Sequence, residues 1–437
     1  MKLRALLSHS GVAAIVVLAA IPLVLWARGG SLPIRFASFA SASRSVGQIA
    51  GLAGMALFAM GLIIEGRFRF VEPYFGGINR LYNIHHTVGA LAFTLLLVHP
   101  LSLAAQYIPI SVQYSMQFLV SLNDVAIDLG KAALALMAAL LAITFYAALK
   151  HETWRATHRW LGFAFFSGGL HAFLVGSDIT RYKPLFAYML ALVVLGLGAW
   201  LWRAVLRLYT LREYPYRVAD VKRINDNVVS IALAPEGKTF RHKPGQFAFV
   251  RFDGLGSRFE SHPFSFTSAS SDSHISFCVK AVGDFTSMLY LLKPGAAARL
   301  EGPFGVFSYT RGAFKRQLWI AGGIGITPFL SMVRSLKDEP DREYRIDLYY
   351  TVVKPSDAVM LGELKKIAAR DSRFRVIEHF SGEQGYLTAD AIAKSSDGVD
   401  KTSVFLCGPP PFMHSLTSQL RRLGVRARDI YTEEFRL

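Results

Sequence analysis

Two apolar stretches decide the fold of this chain, because each carries histidines within a segment of membrane length. Residues 85–99 read HHTVGALAFTLLLVH, and residues 158–171 read HRWLGFAFFSGGLH. Each stretch opens with a histidine followed four residues later by glycine, and each ends on another histidine. Ionisable side chains are rare in membrane-spanning segments, and those that occur usually serve a function. The pattern therefore predicts two neighbouring helices that each present a histidine at two heights.

Helical geometry tests this arrangement. The step of 14 residues from His85 to His99 rises about 21 Å and returns to nearly the same face of a helix. The step of 13 residues from His158 to His171 rises about 20 Å but ends well round the helix, so it requires a bulge, a kink or laterally offset ligands. His86 also lies 13 residues before His99, and the shared His-x-x-x-Gly pattern favours His85.

Imidazole is a common axial ligand of haem iron. The four histidines are therefore candidate ligands of two haems, one near each membrane surface. The alternative is a set of histidines at helix interfaces, bonded to a neighbouring backbone or hydroxyl group.

The rest of the first half predicts an all-α membrane bundle of six helices over residues 1–212. Lys2 and Arg4 before the first apolar stretch resemble a signal peptide, but the length of the stretch and its five successors favour an uncleaved helix. Membrane helices need about 17–25 residues, and six uncharged stretches can supply them with their flanks: Gly11–Trp26, Ser45–Ile64, Leu81–Asn123, Ala132–Leu149, Trp160–Ser177 and Pro184–Trp202.

Basic residues predict the orientation of this bundle. With the N-terminus inside, eleven Lys and Arg residues flank the helices on the cytoplasmic side and six on the outer side, as the positive-inside rule requires. We therefore expect a multi-pass protein of the cell (inner) membrane with both termini in the cytoplasm. The net charge of +17 is explained by these loops and by contact with anionic membrane lipid, and nothing indicates nucleic acid as a partner.

The second half changes to short alternating strands. Segments such as DNVVSIALAP and PGQFAFVRF predict a small antiparallel β-barrel over residues 213–312. Apolar runs such as LWIAGG, DLYYTVV, FRVIEHF and SVFLCGPP then alternate with helical patterns, which predicts a parallel α/β sheet over residues 313–437. The two cysteines, Cys278 and Cys407, exclude a disulfide framework and an iron–sulfur cluster.

Two motifs in the predicted barrel suit a bound flat ring with a phosphate. The first motif comprises His262, Pro263, Phe264, Ser265, Thr267 and Ser268. It places a proline and hydroxyl groups at a strand edge, although an ordinary strand could have the same sequence. The second combines a cation, a glycine turn and a hydroxyl group at a helix start, where phosphate binds well, although a plain helix cap has the same pattern; it comprises Lys280, Gly283 and Thr286.

Two further motifs follow predicted strands of the α/β sheet. A glycine-rich turn opens a helix, which is the context of a pyrophosphate site or of a structural turn; its residues are Gly322, Gly323, Gly325 and Thr327. The other ends the last predicted strand, at the edge where open α/β sheets bind ligands; it reads Cys407, Gly408, Pro409. A lone cysteine at such a place is also typical of a core.

In this order, the motifs of residues 45–437 resemble the ferric reductase / NADPH oxidase superfamily in its compact prokaryotic form. The helical half resembles the ferric-reductase-type transmembrane domain. The second half resembles a ferredoxin–NADP reductase, with an FAD-binding barrel followed by a nucleotide domain. The resemblance implies an NAD(P)H-dependent transmembrane oxidoreductase with FAD, two haem b groups and NADPH as cofactors, and NADH remains open.

The resemblance also implies residue roles. Ser265 would lie near the reactive edge of the flavin, and Phe435 would cover the flavin and move aside for hydride transfer. The arginine that usually binds the 2′-phosphate in this family is not evident, and Lys354 stands close to its position. FAD would contact the His262–Ser268 motif and the motif of Lys280, Gly283 and Thr286. The glycine-rich turn would hold the NAD(P)H phosphates, and Cys407, Gly408 and Pro409 the nicotinamide. The haem ligands would be His85, His99, His158 and His171.

The function implied is electron transfer from cytoplasmic NAD(P)H to a small extracytoplasmic acceptor, either dioxygen or ferric iron. The expected outer loops contain neither a cysteine cluster nor a dense carboxylate group for a tight iron site. The alternative is a membrane cytochrome b/flavoprotein that feeds or anchors a partner redox protein, against which the intact flavin and nucleotide motifs argue. No obligate protein partner is indicated.

Overall fold

The computed structural model describes residues 2–66, 68, 71–147, 149, 151–206, 213–255, 261–339 and 343–435. Contacts divide the chain into two compact units, a helical unit at Leu6–Leu211 and a mixed unit that contains Arg212–Leu437. The division falls where the apolar sequence changes to alternating strands.

The described part of the helical unit contains five long helices and six short ones. The long ones are α1 (Lys2–Arg28), α3 (Phe39–Glu65), α5 (Ile78–Ala105), α7 (Val125–Tyr146) and α11 (Lys183–Leu201). The short ones are α2 (Leu32–Arg35), α4 (Glu72–Phe75), α6 (Val112–Val120), α8 (His151–Arg159), α9 (Leu161–Leu174) and α10 (Asp178–Arg181). Side chains such as Asp124, whose carboxylate accepts from the amide of Ala126, cap helix starts.

Five of the described helices, namely α1, α3, α5, α7 and α11, are long and apolar enough to cross a membrane. The prediction of six is therefore not confirmed. The stretch Trp160–Ser177 was expected to supply the remaining helix, but the helix breaks at Trp160 and α9 has 14 residues. That length is below the roughly 17 residues that a membrane-spanning helix needs.

Helix α3 forms much of the core of the helical unit, because 67% of its most apolar stretch is buried. Glycines on α3 face α5: an added Cβ would lie 2.9 Å from Leu103 at Gly47 and 2.6 Å from the His99 ring at Gly51. Small residues let membrane helices approach closely. The α3 backbone therefore comes within hydrogen-bonding distance of the α5 histidines.

The mixed unit begins with six antiparallel strands: β1 (Tyr214–Asn225), β2 (Val228–Pro235), β3 (Phe247–Phe252), β4 (His262–Ser265), β5 (Ile275–Lys280) and β6 (Ala297–Phe304). Their order is β4-β3-β6-β1-β2-β5. The sheet curls around an apolar core, and its edges meet through a bridge between Phe266 and Phe277. It is a half-barrel, whereas the sequence predicted a small antiparallel β-barrel. Helix α12 (Asp284–Met288) follows β5.

The predicted parallel α/β sheet is confirmed. Its strands are β7 (Arg316–Gly322), β8 (Arg345–Val352), β9 (Phe374–Phe380), β10 (Ser403–Gly408) and β11 (Ile430–Glu434), in the order β11-β10-β7-β8-β9. Its helices are α13 (Thr327–Ser335), α14 (Leu361–Ala368), α15 (Ser381–Gln384), α16 (Ala389–Ser395) and α17 (Pro410–Arg422).

One expectation about this sheet is wrong, because β10 is not its last strand. Strand β11 follows and pairs with β10 in parallel. Its sequence, IYTEE, lacks the apolar run of a central strand, since it lies at an edge of the sheet. The three central strands, β10, β7 and β8, are buried on both faces: Trp319 and Phe405 pack on one side, and Ile320 and Leu406 on the other.

Candidate functional site

Two pairs of histidine rings face each other in the helical unit. The rings of His85 on α5 and His158 on α8 have centroids 6.2 Å apart and planes at 69°. The rings of His99 on α5 and His171 on α9 have centroids 6.2 Å apart and planes at 72°. The candidate histidines thus lie in two pairs at two heights of α5.

The Nδ1 atom of each ring has a partner on a neighbouring helix. Those of His85, His99 and His171 lie 3.1 Å from Gly61 O, 2.7 Å from Gly47 O and 2.7 Å from Ala126 O, respectively. The Nδ1 atom of His158 lies 3.3 Å from Thr144 Oγ1, which itself donates to Leu140 O. Because a carbonyl oxygen can only accept, Nδ1 of His85, His99 and His171 carries the proton, and Nε2 of these rings keeps the lone pair with which an imidazole binds a metal.

The two pairs fit the axial ligation of haem. Two metal–imidazole bonds of about 2 Å, together with the two ring radii, put the ring centres roughly 6 Å apart, close to the 6.2 Å in both pairs. Haem iron takes axial ligands from the protein and the others from the macrocycle. In the part of the chain that the structure describes, no group of three or more His, Cys, Asp or Glu side chains is placed to hold a metal ion.

The motif analysis missed the glycines beside the pair of His99 and His171. An added Cβ would lie 2.6 Å from His99 Nδ1 at Gly51, and 2.9 Å from the His171 ring at Gly130. The signal available in the sequence was a glycine inside an apolar helix, which often marks a close approach. In the other pair, the ring of His85 lies beside that of His158, while its neighbour His86 is exposed.

Strand β4 carries the His-Pro-Phe-Ser motif along one edge of the half-barrel, where it pairs with β3. The ring of His262 stacks on Phe285 of α12, with centroids 3.9 Å apart and planes at 18°. Pro263 is exposed, whereas Phe264 and Ser265 are buried. A strand edge flanked by stacked rings offers a flat surface to an aromatic ligand.

The next two candidates point into the protein. Thr267 Oγ1 lies 2.8 Å from Ser276 Oγ, and Ser268 Oγ accepts from the amide of Ser276 at 3.2 Å. Thr267 and Ser268 are both 2% exposed. Their hydroxyl groups therefore join the end of β4 to β5.

The motif at the start of α12 has the geometry of a helix cap. Thr286 Oγ1 accepts from the amides of Val282 at 2.9 Å and Gly283 at 3.0 Å. Lys280 ends β5 and is exposed. A cleft of about 220 Å³, lined in part by Thr286 and Arg223, lies beside this turn. The structure thus brings the cation, the glycine and the hydroxyl group to one end of the half-barrel.

The two nucleotide motifs meet at the carboxyl ends of β7 and β10, which are parallel neighbours. An added Cβ at Gly325 would lie 2.4 Å from Cys407 O, and one at Gly408 would lie 3.1 Å from the Gly322 backbone. Gly323 has a φ of 56° and no atom near its Cβ position. A bare backbone turn at the start of α13 is therefore open to a ligand, as a pyrophosphate requires.

Within this turn, Thr327 Oγ1 donates to Ile324 O at 3.1 Å. Cys407 is fully buried in the core of the sheet. Burial raises the pKa of its thiol well above the ordinary value, and Glu433 adds to the effect. The thiol is therefore neutral, and a redox or nucleophilic role as a thiolate is unfavourable. Pro409 packs against the start of this turn, because a Cβ added at Gly322 would lie 3.1 Å from Pro409 Cδ.

The remaining candidates lie at different places. Lys354 follows β8 and is exposed, and its amide donates to Asp357. Phe435 follows β11 and packs, partly buried, against the core of the sheet. An aromatic residue that the sequence analysis overlooked, Tyr386, follows β9 and is 90% exposed. Exposed rings of that size at a ligand-binding edge can stack on a base.

Helix α13 also joins the sheet to the half-barrel. Arg334 Nη1 donates to Thr267 O at 2.6 Å, and its Nε and Nη2 each donate to the Glu363 carboxylate at 2.7 Å. Ser331 Oγ donates to Ser268 O at 2.7 Å. The helix that starts at the glycine-rich turn is therefore bonded to the segment that leaves β4.

Comparisons with known protein families agree with this organisation. The family "Ferric reductase like transmembrane component" matches residues 50–169. An FAD-binding domain matches residues 213–295, and an oxidoreductase NAD-binding domain matches residues 319–418. The chain has the fused ferric reductase architecture. It is an NAD(P)H-dependent oxidoreductase that transfers electrons by way of FAD and carries a ferric-reductase-like membrane domain.

Two sequence relatives each match about half of this ferric-reductase-like chain. NADH-cytochrome b5 reductase 2 of Mycosarcoma maydis is 27% identical over 252 residues, which cover 49% of this chain and 71% of the relative. The toluate 1,2-dioxygenase electron transfer component of Pseudomonas putida is 26% identical over 232 residues, which cover 51% of this chain and 67% of the relative. A flavohemoglobin structure from Malassezia yamatoensis has a TM-score of 0.52 at 18% sequence identity. The match covers 90% of this chain and 98% of that structure, and it shows similarity in fold alone.

Proposed function

We propose that this ferric-reductase-type chain carries electrons from cytoplasmic NAD(P)H, through FAD and two b-type haems, to a small acceptor outside the cell (inner) membrane. The observation that carries the proposal is the pair of facing imidazoles at each of two heights, with ring centres 6.2 Å apart. Two haems roughly 20 Å apart along α5 would span most of a hydrocarbon core of about 30 Å.

The protein's own residues bind and orient the cofactors, which supply the redox chemistry. When bound, FAD accepts a hydride and releases single electrons, and haem iron carries them one at a time. His85 and His158 would hold the inner haem, and His99 and His171 the outer one. The carbonyl partners of Nδ1 keep three of these rings in the tautomer that leaves Nε2 free.

We place the flavin ring along the edge of β4, with Ser265 near its reactive edge and Phe435 as the residue that covers it. FAD phosphates would bind at Lys280, Gly283 and Thr286. NAD(P)H phosphates would bind at the turn of Gly322, Gly323, Gly325 and Thr327, with the nicotinamide beside Cys407, Gly408 and Pro409. These roles correspond to a membrane domain at 1–212, an FAD domain at 213–312 and a nucleotide domain at 313–437.

We favour NADPH over NADH as the electron donor. Lys354 is exposed after β8 and supplies a positive charge for a 2′-phosphate. Tyr386, which follows α15, offers an exposed ring on which adenine could stack. A comparison of FAD reduction rates with the two nucleotides in the Lys354→Ala variant tests this preference.

Dioxygen and ferric iron can each accept an electron at the outer surface without a dedicated set of protein ligands. Cytochrome c reduction that superoxide dismutase abolishes would identify dioxygen, whereas dismutase-insensitive formation of Fe²⁺ would identify iron. The alternative function, a membrane cytochrome that feeds a partner protein, predicts that neither small acceptor is reduced without that partner.

An anaerobic absorption spectrum of the purified, FAD-loaded protein tests the proposed function first. We expect the spectrum of two b-type haems per chain, both reduced on addition of NADPH. The His171→Ala variant should lose the outer haem and external reduction while it retains electron transfer from NADPH to FAD. Full external activity in that variant, or a chain that binds no haem, would contradict the proposal.

A further inference from the structure

The spacing of His158 and His171 raises a geometric problem that the structure solves. Thirteen residues of one straight helix turn about 1300°, which leaves the two side chains roughly 140° apart around the axis. Both rings nevertheless face histidines of α5 at 6.2 Å, and α5 runs without interruption from Ile78 to Ala105. The helical segment that carries His158 and His171 must therefore change its phase between these two residues.

That change takes place at Trp160, between α8 and α9. The amide of Trp160 donates to Thr157 O at 3.0 Å, and the amide of Phe163 donates to Trp160 O at 2.9 Å. These bonds span three residues, as in a tight 3₁₀ turn, rather than four. One turn of different winding therefore separates His158 on α8 from His171 on α9.

Trp200 of α11 packs into this break. Its indole Nε1 donates at 2.8 Å to the carbonyl of Arg159, the last residue of α8. Gly162 leaves the space for the ring, because an added Cβ there would lie 2.1 Å from it. Phe163 meets the same ring edge-to-face, with centroids 5.0 Å apart.

We propose that Trp200, through the slot that Gly162 provides, is the positioning residue that turns His158 toward its haem. Trp200 does not itself contact the cofactor in this scheme. It donates to the Arg159 carbonyl beside the break and occupies the space over Gly162, and so it favours the one phase in which both histidines of the α8–α9 segment face α5. This inference rests on the proposed haem ligation.

Two variants and two matched controls test it in the full-length protein in membranes or detergent. Trp200→Phe removes the indole donor and keeps an aromatic ring, and Gly162→Ala inserts a methyl group into the slot. Gly168→Ala on α9 is the first control, since its Cβ would meet its nearest neighbour at 3.5 Å, and Gly198→Ala on α11 is the second, since nothing lies within 4 Å. The readouts are haem per chain by pyridine haemochrome, the midpoint potential of each haem and the low-spin electron paramagnetic resonance signals.

We expect Gly162→Ala to lose the haem signal that His158→Ala also loses, and to keep the signal that depends on His171. Trp200→Phe should shift the potential and resonance signal of that same haem. Both controls should resemble the wild type. Unchanged signals in both variants, with two haems present in the wild type, would overturn the positioning role alone. A wild-type chain without haem would instead overturn the proposed function on which it rests.

Discussion

A histidine ring in a membrane helix needs a hydrogen-bond partner for its second nitrogen, because an unpartnered polar group in an apolar medium is costly. In this chain the partners of His85, His99 and His171 are backbone carbonyls of other helices. At the scale of single residues, glycine therefore matters as much as histidine, since Gly47 and Gly51 allow α3 to approach His99.

Gly51→Ala tests this dependence. The new Cβ would lie 2.6 Å from His99 Nδ1, so it should displace the ring, break its bond to Gly47 O and destabilise the protein by about 1–3 kcal/mol. We expect loss or a shifted potential of the outer haem in a redox titration. The control is Gly89→Ala on the same helix as His99, where nothing lies within 4 Å. Equal haem spectra in the two variants would contradict the prediction.

The two cysteines give a pH prediction. Burial raises the pKa of Cys278 to about 12 and that of Cys407 well above its ordinary value. Thiols of the unfolded chain ionise near pH 8.5, whereas those of the folded chain stay neutral. The free energy of unfolding should therefore fall as the pH rises above about 8.5. Unfolding curves at pH 7 and pH 9.5 measure the loss.

The matched control for that experiment is the Cys278→Ala/Cys407→Ala double variant, in which the cysteine-dependent part of the loss should vanish. Iodoacetamide at pH 8 should also label neither thiol of the folded wild type. Rapid labelling of Cys407 in the folded protein would show that the thiol is accessible and ionised, contrary to the structure.

At the scale of elements, α13 serves the nucleotide domain at one end and the half-barrel at the other. Its first residues follow the glycine-rich turn, and Arg334 in its last turn joins Thr267 O to the Glu363 carboxylate. Because the segment after β4 and the glycine-rich turn are both joined to α13, this helix connects the proposed flavin and nucleotide sites.

Arg334→Met should loosen this connection. Hydrogen bonds that involve a charged group contribute about 1.5–3 kcal/mol, so we expect a lower melting temperature and slower reduction of FAD by NADPH in stopped-flow absorption. Nucleotide affinity should change less than the rate, since Arg334 lies away from the glycine-rich turn. The control is Lys365→Met, which removes a more exposed ion pair with Glu378. Equal rates for the wild type and Arg334→Met would contradict the role of α13.

At the scale of the whole molecule, the number of membrane crossings determines where the chain ends lie. Five described helices meet the length and hydropathy of a span, and five crossings would put the termini on opposite sides. The segment α8–α9 nevertheless accompanies α5 from His85 to His99 through its own two histidines. It therefore covers about 20 Å of the depth of the membrane and can act as the sixth crossing.

We accordingly expect both termini in the cytoplasm. Fusion of a fluorescent protein that matures only in the cytoplasm, and of alkaline phosphatase that is active only outside, to each end should give fluorescence without phosphatase activity at both. A fusion to the loop that begins after α9, at residue 176, serves as the outward control. Phosphatase activity at the C-terminus would show that α8–α9 does not cross.

Much of the site could be predicted from the sequence because its signals are local. Histidines in apolar runs, glycines between a strand and a helix, and alternation of apolar residues report helices, turns and strands without knowledge of their neighbours. The roles of Thr267, Ser268 and Cys407 could not be read in this way, since their partners, such as Ser276 and Glu433, are distant in sequence.

The sequence alone determined the membrane half, the parallel nucleotide sheet and the residues from which a redox site can be built. The equal heights of the histidines predicted the pairs His85–His158 and His99–His171, which the structure contains. The tertiary structure decided how α8 and α9 bring both of their histidines to α5, because Trp200 of another helix is bonded at the break between them. It also decided that the flavin sheet is a half-barrel and that a polar strand, β11, completes the second sheet. Periodicity describes one element at a time, whereas these features depend on contacts between elements.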